Sequence, residues 1–369
     1  MAGNSEYDTI VIGGGMVGMS IAYGLVRGGE RVLVLDQGDD AFRAARGNFG
    51  LVWVQGKGIA YPAYARWSMA GAKAWPSFAA NLHQQTGIDV QLSQIGGLDI
   101  YLDADQLAAR AEKLRTLADG VGEPYPFKVL DPAGVRELCP EIGPDVVGAI
   151  FTPMDGHVSP LRLLRALVQA FTQFGGELRS GADAGAIAFR DGVFTVTAGD
   201  ERYTSGKLVL AAGLGNRALA PLVGLSAPVV PNRGQILVTE RLRPFLAYPT
   251  GHVRQTGDGG VQIGDSKEDV GFDDGTSHEQ LSRMARQAAR MFPVLAGANI
   301  IRTWGALRIM TPDGFPIYQA STDCPGAFVV TCHSGVTLAA RHAGVIADWI
   351  RGGPPPDELG AFSAERFHV

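Results

Sequence analysis

Five groups of residues in this sequence can do chemistry. Gly13-Gly14-Gly15-Met16-Val17-Gly18 has the GxGxxG spacing, and Asp36 stands 18 residues past its last glycine. Glycine at the first position permits a tight turn. At the second it lets backbone approach a pyrophosphate, and at the third it lets a helix pack closely on a strand. A helix opening at Met16 and Val17 aims N–H groups and a positive dipole end at a phosphate. Asp36, followed by Gln37, is placed to take ribose hydroxyls. This loop alone does not choose between nicotinamide and flavin dinucleotides. Arg46-Gly47-Asn48-Phe49-Gly50 suits phosphate or ring-edge contacts, or is a solvated loop. Ala212-Gly213 closes an apolar strand with small residues. Arg308 lies in an apolar strand-and-turn setting, where a guanidinium expects a bidentate partner, from the protein or from a ligand. His333 precedes Ser334-Gly335-Val336-Thr337-Leu338, a helix start whose N–H groups can face developing negative charge. A capping or packing histidine is the plainer reading.

These groups need elements to hold them. A β-branched run at 7–12 reads as a buried strand, 16–27 as a helix ended by Gly28-Gly29, and 31–35 as a second strand. That is a β–α–β unit, the context the glycine motif requires. Helical spacing predicts helices over 67–87, 105–119, 160–174, 280–292 and 335–350. Strands are expected at 192–196, 201–211, 235–239 and 261–264. Strands and helices alternate at both ends around a strand-richer middle, which predicts an α/β domain with a second domain inserted into it.

Composition narrows the function classes. Glycine is the outlier, 50 of 369 residues, without the every-third-residue period of collagen. With 46% hydrophobic and 19% charged residues, the chain has the means to build a core. A formal charge of −5 and no basic stripe argue against nucleic acid. Cys139, Cys324 and Cys332 are widely spaced, so they read as reduced thiols and not as a disulfide or zinc set. The N-terminus shows no basic-then-apolar leader, and no run is long enough to span a membrane. A cytoplasmic protein is expected, with no metal.

Three further segments carry a family resemblance. Trp304-Gly305-Ala306-Leu307-Arg308-Ile309-Met310-Thr311-Pro312-Asp313-Gly314-Phe315-Pro316, Cys332-His333-Ser334-Gly335 and Asp155-Gly156-His157-Val158-Ser159-Pro160 join the N-terminal unit and the Arg46–Gly50 loop. Together, from residue 8 to about 350, they resemble the D-amino-acid oxidase/glycine oxidase/sarcosine oxidase superfamily of FAD-dependent enzymes. The Cys-His-Ser-Gly loop is similar to bacterial D-hydroxyproline and opine dehydrogenase subunits.

The resemblance implies a Rossmann-type FAD-binding domain of the glutathione-reductase type, from 1–85, 150–222 and 302–369. An α+β substrate domain on an antiparallel sheet would come from 86–149 and 223–301. It implies FAD held by Gly13, Gly15, Met16, Val17, Gly18, Asp36, Gln37, the Arg46–Gly50 loop, Ala212, Gly213, Arg308 and Ser334 through Leu338. It puts a substrate carboxylate on Arg308, the flavin's pyrimidine edge near His333, and His252, Arg254 and Gln255 over the substrate face, with Tyr248 a weaker candidate. Trp53 and Trp67 read as core, His157 as structural, and Asn232-Arg233-Gly234-Gln235 as a junction between domains. Ala306 stands where relatives with tethered flavin carry cysteine, so FAD is expected to be non-covalent. Cys332 is either a packing residue or a low-pKa thiol at a helix start.

The activity implied is oxidation of the C–N bond of an amino acid or secondary amine by hydride transfer to flavin. The resulting imine hydrolyses, and O₂ or a quinone-type acceptor takes the electrons. Two alternatives stand beside it. One is an NAD-dependent dehydrogenase. The other is a flavin-binding electron-transfer or assembly subunit, a homo- or hetero-oligomer docking through 86–145.

Overall fold

The structure, a computed structural model, describes residues 6–38, 44–264 and 266–367. Residues 1–5, read above for a leader, lie outside these. The apolar run at the start of the chain forms the strand Tyr7–Ile12, fully enclosed between two parallel neighbours, Val32–Asp36 and Glu201–Leu210. Ala327–Thr331 extends the sheet in parallel beyond Glu201–Leu210, and Glu177–Ser180 does so beyond Val32–Asp36. Ile317–Ala320 closes one edge antiparallel, and the hairpin of Ala184–Arg190 and Val193–Ala198 branches from Glu201–Leu210. Near-continuous apolar strands are what a sheet covered on both faces requires.

The helix Met16–Arg27 packs beside Pro160–Gln173 and the last helical segment, sharing one apolar core. Gly24 permits this approach, because a Cβ there would lie 2.4 Å from the Ala343 carbonyl oxygen and 2.5 Å from the Ala347 Cβ. The second layer is antiparallel, in the order Val253–Gln255, Gly260–Ile263, Val230–Arg241, Ile300–Met310. A smaller antiparallel sheet joins Gly97–Tyr101, Gly148–Thr152 and Lys128–Leu130. Leu98, Ala149, Leu237, Val261, Met284 and Met291 bury the space between these sheets and the helix His278–Met291.

Several expected boundaries shift for visible reasons. The helix placed at 67–87 begins earlier, as Pro62–Thr86, because Pro62 suits a first helical turn, and it stops at Gly87 in the left-handed region. The helix expected from 335 begins at Ala339, and residues 335–338 form a turn instead. A π-helical stretch, His342–Ile346, follows inside it. The region 86–145, read as helix-rich, also contributes the strands Gly97–Tyr101 and Lys128–Leu130. Expected domain seams at 149/150 and 301/302 fall inside the strands Gly148–Thr152 and Ile300–Met310.

Gly24→Val is expected to cost about 1–3 kcal/mol by overpacking. Gly185→Ala, where a Cβ would meet nothing within 4 Å, should change stability by less than about 0.5 kcal/mol. Urea unfolding of the two variants checks the contrast.

Candidate active site

The glycine loop shows what each of its glycines does. A Cβ on Gly13 would lie 2.4 Å from the Ala211 carbonyl oxygen, and one on Gly18 1.9 Å from the Gly13 carbonyl oxygen. Both positions are therefore held to glycine by the closeness of strand and helix. At Gly15 the nearest atom to such a Cβ is the Ala45 Cβ, at 3.9 Å, so the backbone there is open to an approaching group. No side chain caps the helix Met16–Arg27. Its first-turn N–H groups point where an anion is stabilised. The Asp36 carboxylate accepts the Gly14 N–H at 2.7 Å and the Gly38 N–H at 2.9 Å, fixing the loop to the second strand, and Gln37 is exposed beside it. Ala212 donates its N–H to the Asn216 side chain at 2.9 Å, and Gly213, at φ +60°, lies against Ile309.

A cavity of about 1340 Å³ draws its lining from the two antiparallel sheets, the helix His278–Met291 and the loops around them. It brings together Gly47, Asn48, Phe49, His252, Arg308, His333, Ser334, Val336 and Thr337, as expected. Met16 and Val17 pack against Gly335, and Leu338 is buried. Three sets of bonds fix the 334–337 loop. The Tyr64 hydroxyl is 2.7 Å from the Ser334 hydroxyl oxygen. The Trp75 indole donates to the Val336 and Thr337 carbonyls at 3.1 and 3.2 Å, and the Trp53 N–H donates to the Thr337 hydroxyl at 3.1 Å.

The Arg308 guanidinium reaches the cavity from the strand Ile300–Met310. It donates to the Asn232 side chain at 2.9 Å and to the Arg233 and Ser266 carbonyls at 3.1 and 2.6 Å. Those contacts set its plane, and burial lowers its pKa to about 10. The His333 Nδ1 lies 3.2 Å from the Ser334 hydroxyl oxygen and 3.5 Å from the Lys57 ammonium. The charge on Lys57, then burial and Arg308, hold the His333 imidazole neutral well below its usual range. His252 is shifted down by burial as well.

One reading is corrected. Arg254 does not line this cavity. Its guanidinium lies behind the Phe49 ring, 5.7 Å from the centroid, where it donates to His157 Nδ1 at 3.2 Å and to the Gln262 side chain at 3.0 Å. His157, kept neutral by burial and by Arg254, with a pKa of about 3, is structural. For Cys332 the structure favours the packing alternative. It is buried, and desolvation raises its thiol to about 12, which removes the low-pKa alternative.

Among the other expectations, Trp67 is core and Tyr248 packs edge-on against Phe151. Trp53, read as core, lines the cavity. Arg46 and Gly50 do not.

Sequence reasoning missed Lys57. It enters the cavity on the segment Trp53–Lys57, which the buried Asp155 carboxylate organises by accepting the Val54 N–H at 2.5 Å and the Gln55 side-chain amide at 2.9 Å. Burial, then Lys267, lowers the Lys57 ammonium to about 8. Also missed was the helix His278–Met291, which turns Arg283, Arg286, Gln287 and Arg290 toward the cavity at i, i+3, i+4 and i+7. Among the described residues, seven Lys and Arg side chains and two aspartates, Asp99 and Asp103, line the cavity; Arg110 lies 3.8 Å from Asp99, and Arg290 pairs with Asp145 at 2.7 Å.

The family model for DAO, FAD dependent oxidoreductase, matches residues 8–349. The chain belongs to this family. It is 44% identical to an opine oxidase subunit of Agrobacterium tumefaciens (strain Ach5), across 99% of this chain and 98% of the relative. It is 43% identical to an opine oxidase subunit of Rhizobium meliloti, across 98% of each. The glycine oxidase structure from Geobacillus kaustophilus shares its fold, with a TM-score of 0.89, 23% identity and 98% of each chain covered.

The family assignment makes the dinucleotide FAD and sets the nicotinamide alternative aside. The residues present fit that group. The uncapped helix start and the open backbone at Gly15 suit its pyrophosphate, and the large cavity carries the loops expected at its ring. Ala306, in the cavity wall, has no thiol for a covalent link. No helix among the described residues is long and apolar enough to cross a membrane.

Because the Lys57 charge is present below a pH of about 8 and lost above it, a carboxylate ligand without an amine should bind about three- to tenfold more weakly at pH 9.5 than at pH 7. Lys57→Met should bind it weakly at both. Perturbation of the FAD spectrum by titrated ligand reads the affinity, and an identical pH profile in both proteins contradicts the assignment.

Proposed function

We propose that this protein oxidises the C–N bond of a secondary amine bearing two or more carboxylates, with Arg308 binding one carboxylate and the cationic outer cavity receiving another. The observation that carries this reading is the excess of cations among the described residues around one cavity, seven Lys and Arg against two aspartates in the lining and Asp145 paired with Arg290. Arg308 lies beside the neutral His333 imidazole and the Lys57 ammonium, which suits a carboxylate held at one end of the substrate. The helix bearing Arg283, Arg286 and Arg290 supplies the outer contact. An opine is a secondary amine with carboxylates on both carbon arms, so the names of the two relatives agree with the charge of the cavity.

FAD, when bound, supplies the acceptor for the hydride leaving the amine's α-carbon. The chain's own residues bind and orient the substrate. Anchoring the carboxylate places the α-carbon, and positioning of this kind supplies much of the rate effect without a dedicated base. Lys57 and His333 lie near enough to hold a water or the amine's proton, and the released imine hydrolyses in solvent.

Both relatives are named as subunits, and we propose that this chain too works with a partner chain. The isolated protein should then turn over with an artificial acceptor and only slowly with O₂.

Arg308→Ala should raise KM about ten- to a hundredfold for every carboxylated amine and leave FAD content unchanged. Arg286→Gln should raise KM about two- to fivefold for a dicarboxylated secondary amine and leave that of an N-methyl monocarboxylate unchanged. Steady-state kinetics with an artificial acceptor read both. Equal effects of Arg286→Gln on the two substrates contradict the outer carboxylate contact.

A further inference from the structure

The Asn232, Arg233 and Ser266 acceptors of the Arg308 guanidinium are all tied to one short segment, 266–269, which pairs with the strand Val230–Arg241 at Arg233 and Glu268. The Arg233 carbonyl that accepts from Arg308 also accepts the Glu268 N–H at 3.1 Å, and the Arg233 N–H donates to the Glu268 carbonyl at 2.9 Å. The Asn232 amide donates to the Asp269 carboxylate at 2.7 Å, which turns its oxygen toward Arg308. Ser266 offers Arg308 its carbonyl, while its hydroxyl accepts the Gln235 N–H at 2.8 Å and donates to the Glu268 carboxylate at 2.6 Å.

Glu268 is the hub of these bonds. One carboxylate oxygen accepts the Ser266 hydroxyl and the Gln235 side-chain amide, and the other accepts the Arg233 guanidinium at 2.9 Å. Burial opposes its charge, but the donors from Arg233, Ser266 and Gln235 outweigh burial and lower its pKa. The Gln235 side-chain oxygen takes the Ser277 N–H at 2.9 Å, so the far end of the same loop is fixed as well. Gly234 completes the arrangement. A Cβ there would lie 2.4 Å from the Arg308 Nη2, so the guanidinium rests on bare backbone. Gly234 and Arg308 line the large cavity, whereas Glu268 and Asp269 stand behind its wall.

We propose that Glu268, Asp269 and Gly234 are positioning residues for carboxylate recognition, which hold the Arg308 guanidinium in one plane. The stretch Asn232–Gln235, expected to be a junction between domains, is then the seat of that arginine. The proposal rests on the assignment of a substrate carboxylate to Arg308. A guanidinium grips a carboxylate with two parallel bonds only when its plane suits both oxygens. A side chain ordered before binding loses less freedom on binding, so the effect belongs to affinity more than to the chemical step.

The test is titration of the FAD-loaded full chain with acetate, read by the flavin spectrum, beside steady-state kinetics with a carboxylated amine and an artificial acceptor. Glu268→Gln removes one of the hub's acceptors. Asp269→Ala is an exposed change that frees the Asn232 amide, and the methyl of Gly234→Ala meets the movable end of Arg308 first. In proteins that retain FAD, each should weaken acetate binding about three- to tenfold and raise KM by more than it lowers kcat. Because these residues act through Arg308, adding Asp269→Ala to Arg308→Ala should raise KM no further. Unchanged acetate affinity in folded Asp269→Ala and Gly234→Ala proteins, or a full further rise in KM in the double variant, overturns this proposal alone. An Arg308→Ala protein with unchanged KM overturns the carboxylate assignment and the proposal with it.

Discussion

The active-site arrangement rests on an excess of positive charge: among the described residues, seven Lys and Arg side chains line the large cavity, and of the carboxylates beside them Asp99 lies 3.8 Å from Arg110 and Asp145 pairs with Arg290 at 2.7 Å. Guanidinium and ammonium groups lose solvation on entering a cavity, and the protein returns part of it through neutral acceptors. Arg308 leans on two backbone carbonyls and an amide, and Lys57 on a neutral imidazole. Hydrogen bonds of this kind orient the cations. Their positive field suits an anionic ligand, and with burial it holds His333 in its neutral form.

That arrangement depends on backbone held far from the cations themselves. The Asp155 carboxylate is fully buried, and burial raises its pKa to about 7 despite three donors from Val54 and Gln55. It folds the segment carrying Trp53 and Lys57 onto the cavity. On the other side, Trp53, Tyr64 and Trp75 fix the 334–337 loop through backbone and hydroxyl bonds. The dinucleotide end follows a different logic. There the contacts of Gly13 and Gly18 leave no room for a side chain, and Gly15 leaves its room to the ligand.

What was legible in the sequence follows from this difference. Glycine spacing is a backbone signal, and it located the β–α–β unit and the loops near the dinucleotide. Arg308 and His333 were legible because they sit inside recognisable segments. Lys57 was not, because a buried carboxylate about a hundred residues away in sequence delivers it. The helical spacing at 280–292 does not say what its arginines face, and only the packing of Met284 and Ala288 into the core shows that Arg283, Arg286 and Arg290 turn toward the cavity. Arg254 was misplaced because a strand position does not say which side of Phe49 its side chain will take. The short strands Gly97–Tyr101 and Lys128–Leu130 carry too little periodicity to separate from the helices around them.

The central claim is that a flavin-dependent site here oxidises amines carrying more than one carboxylate. Anaerobic stopped-flow mixing of the FAD-loaded protein with a dicarboxylated secondary amine tests it most directly. Bleaching of the oxidised flavin in a single turnover, faster than with the corresponding monocarboxylate at equal concentration, is the predicted result. A flavin that stays oxidised with every carboxylated amine, or is reduced equally fast by both, contradicts the account.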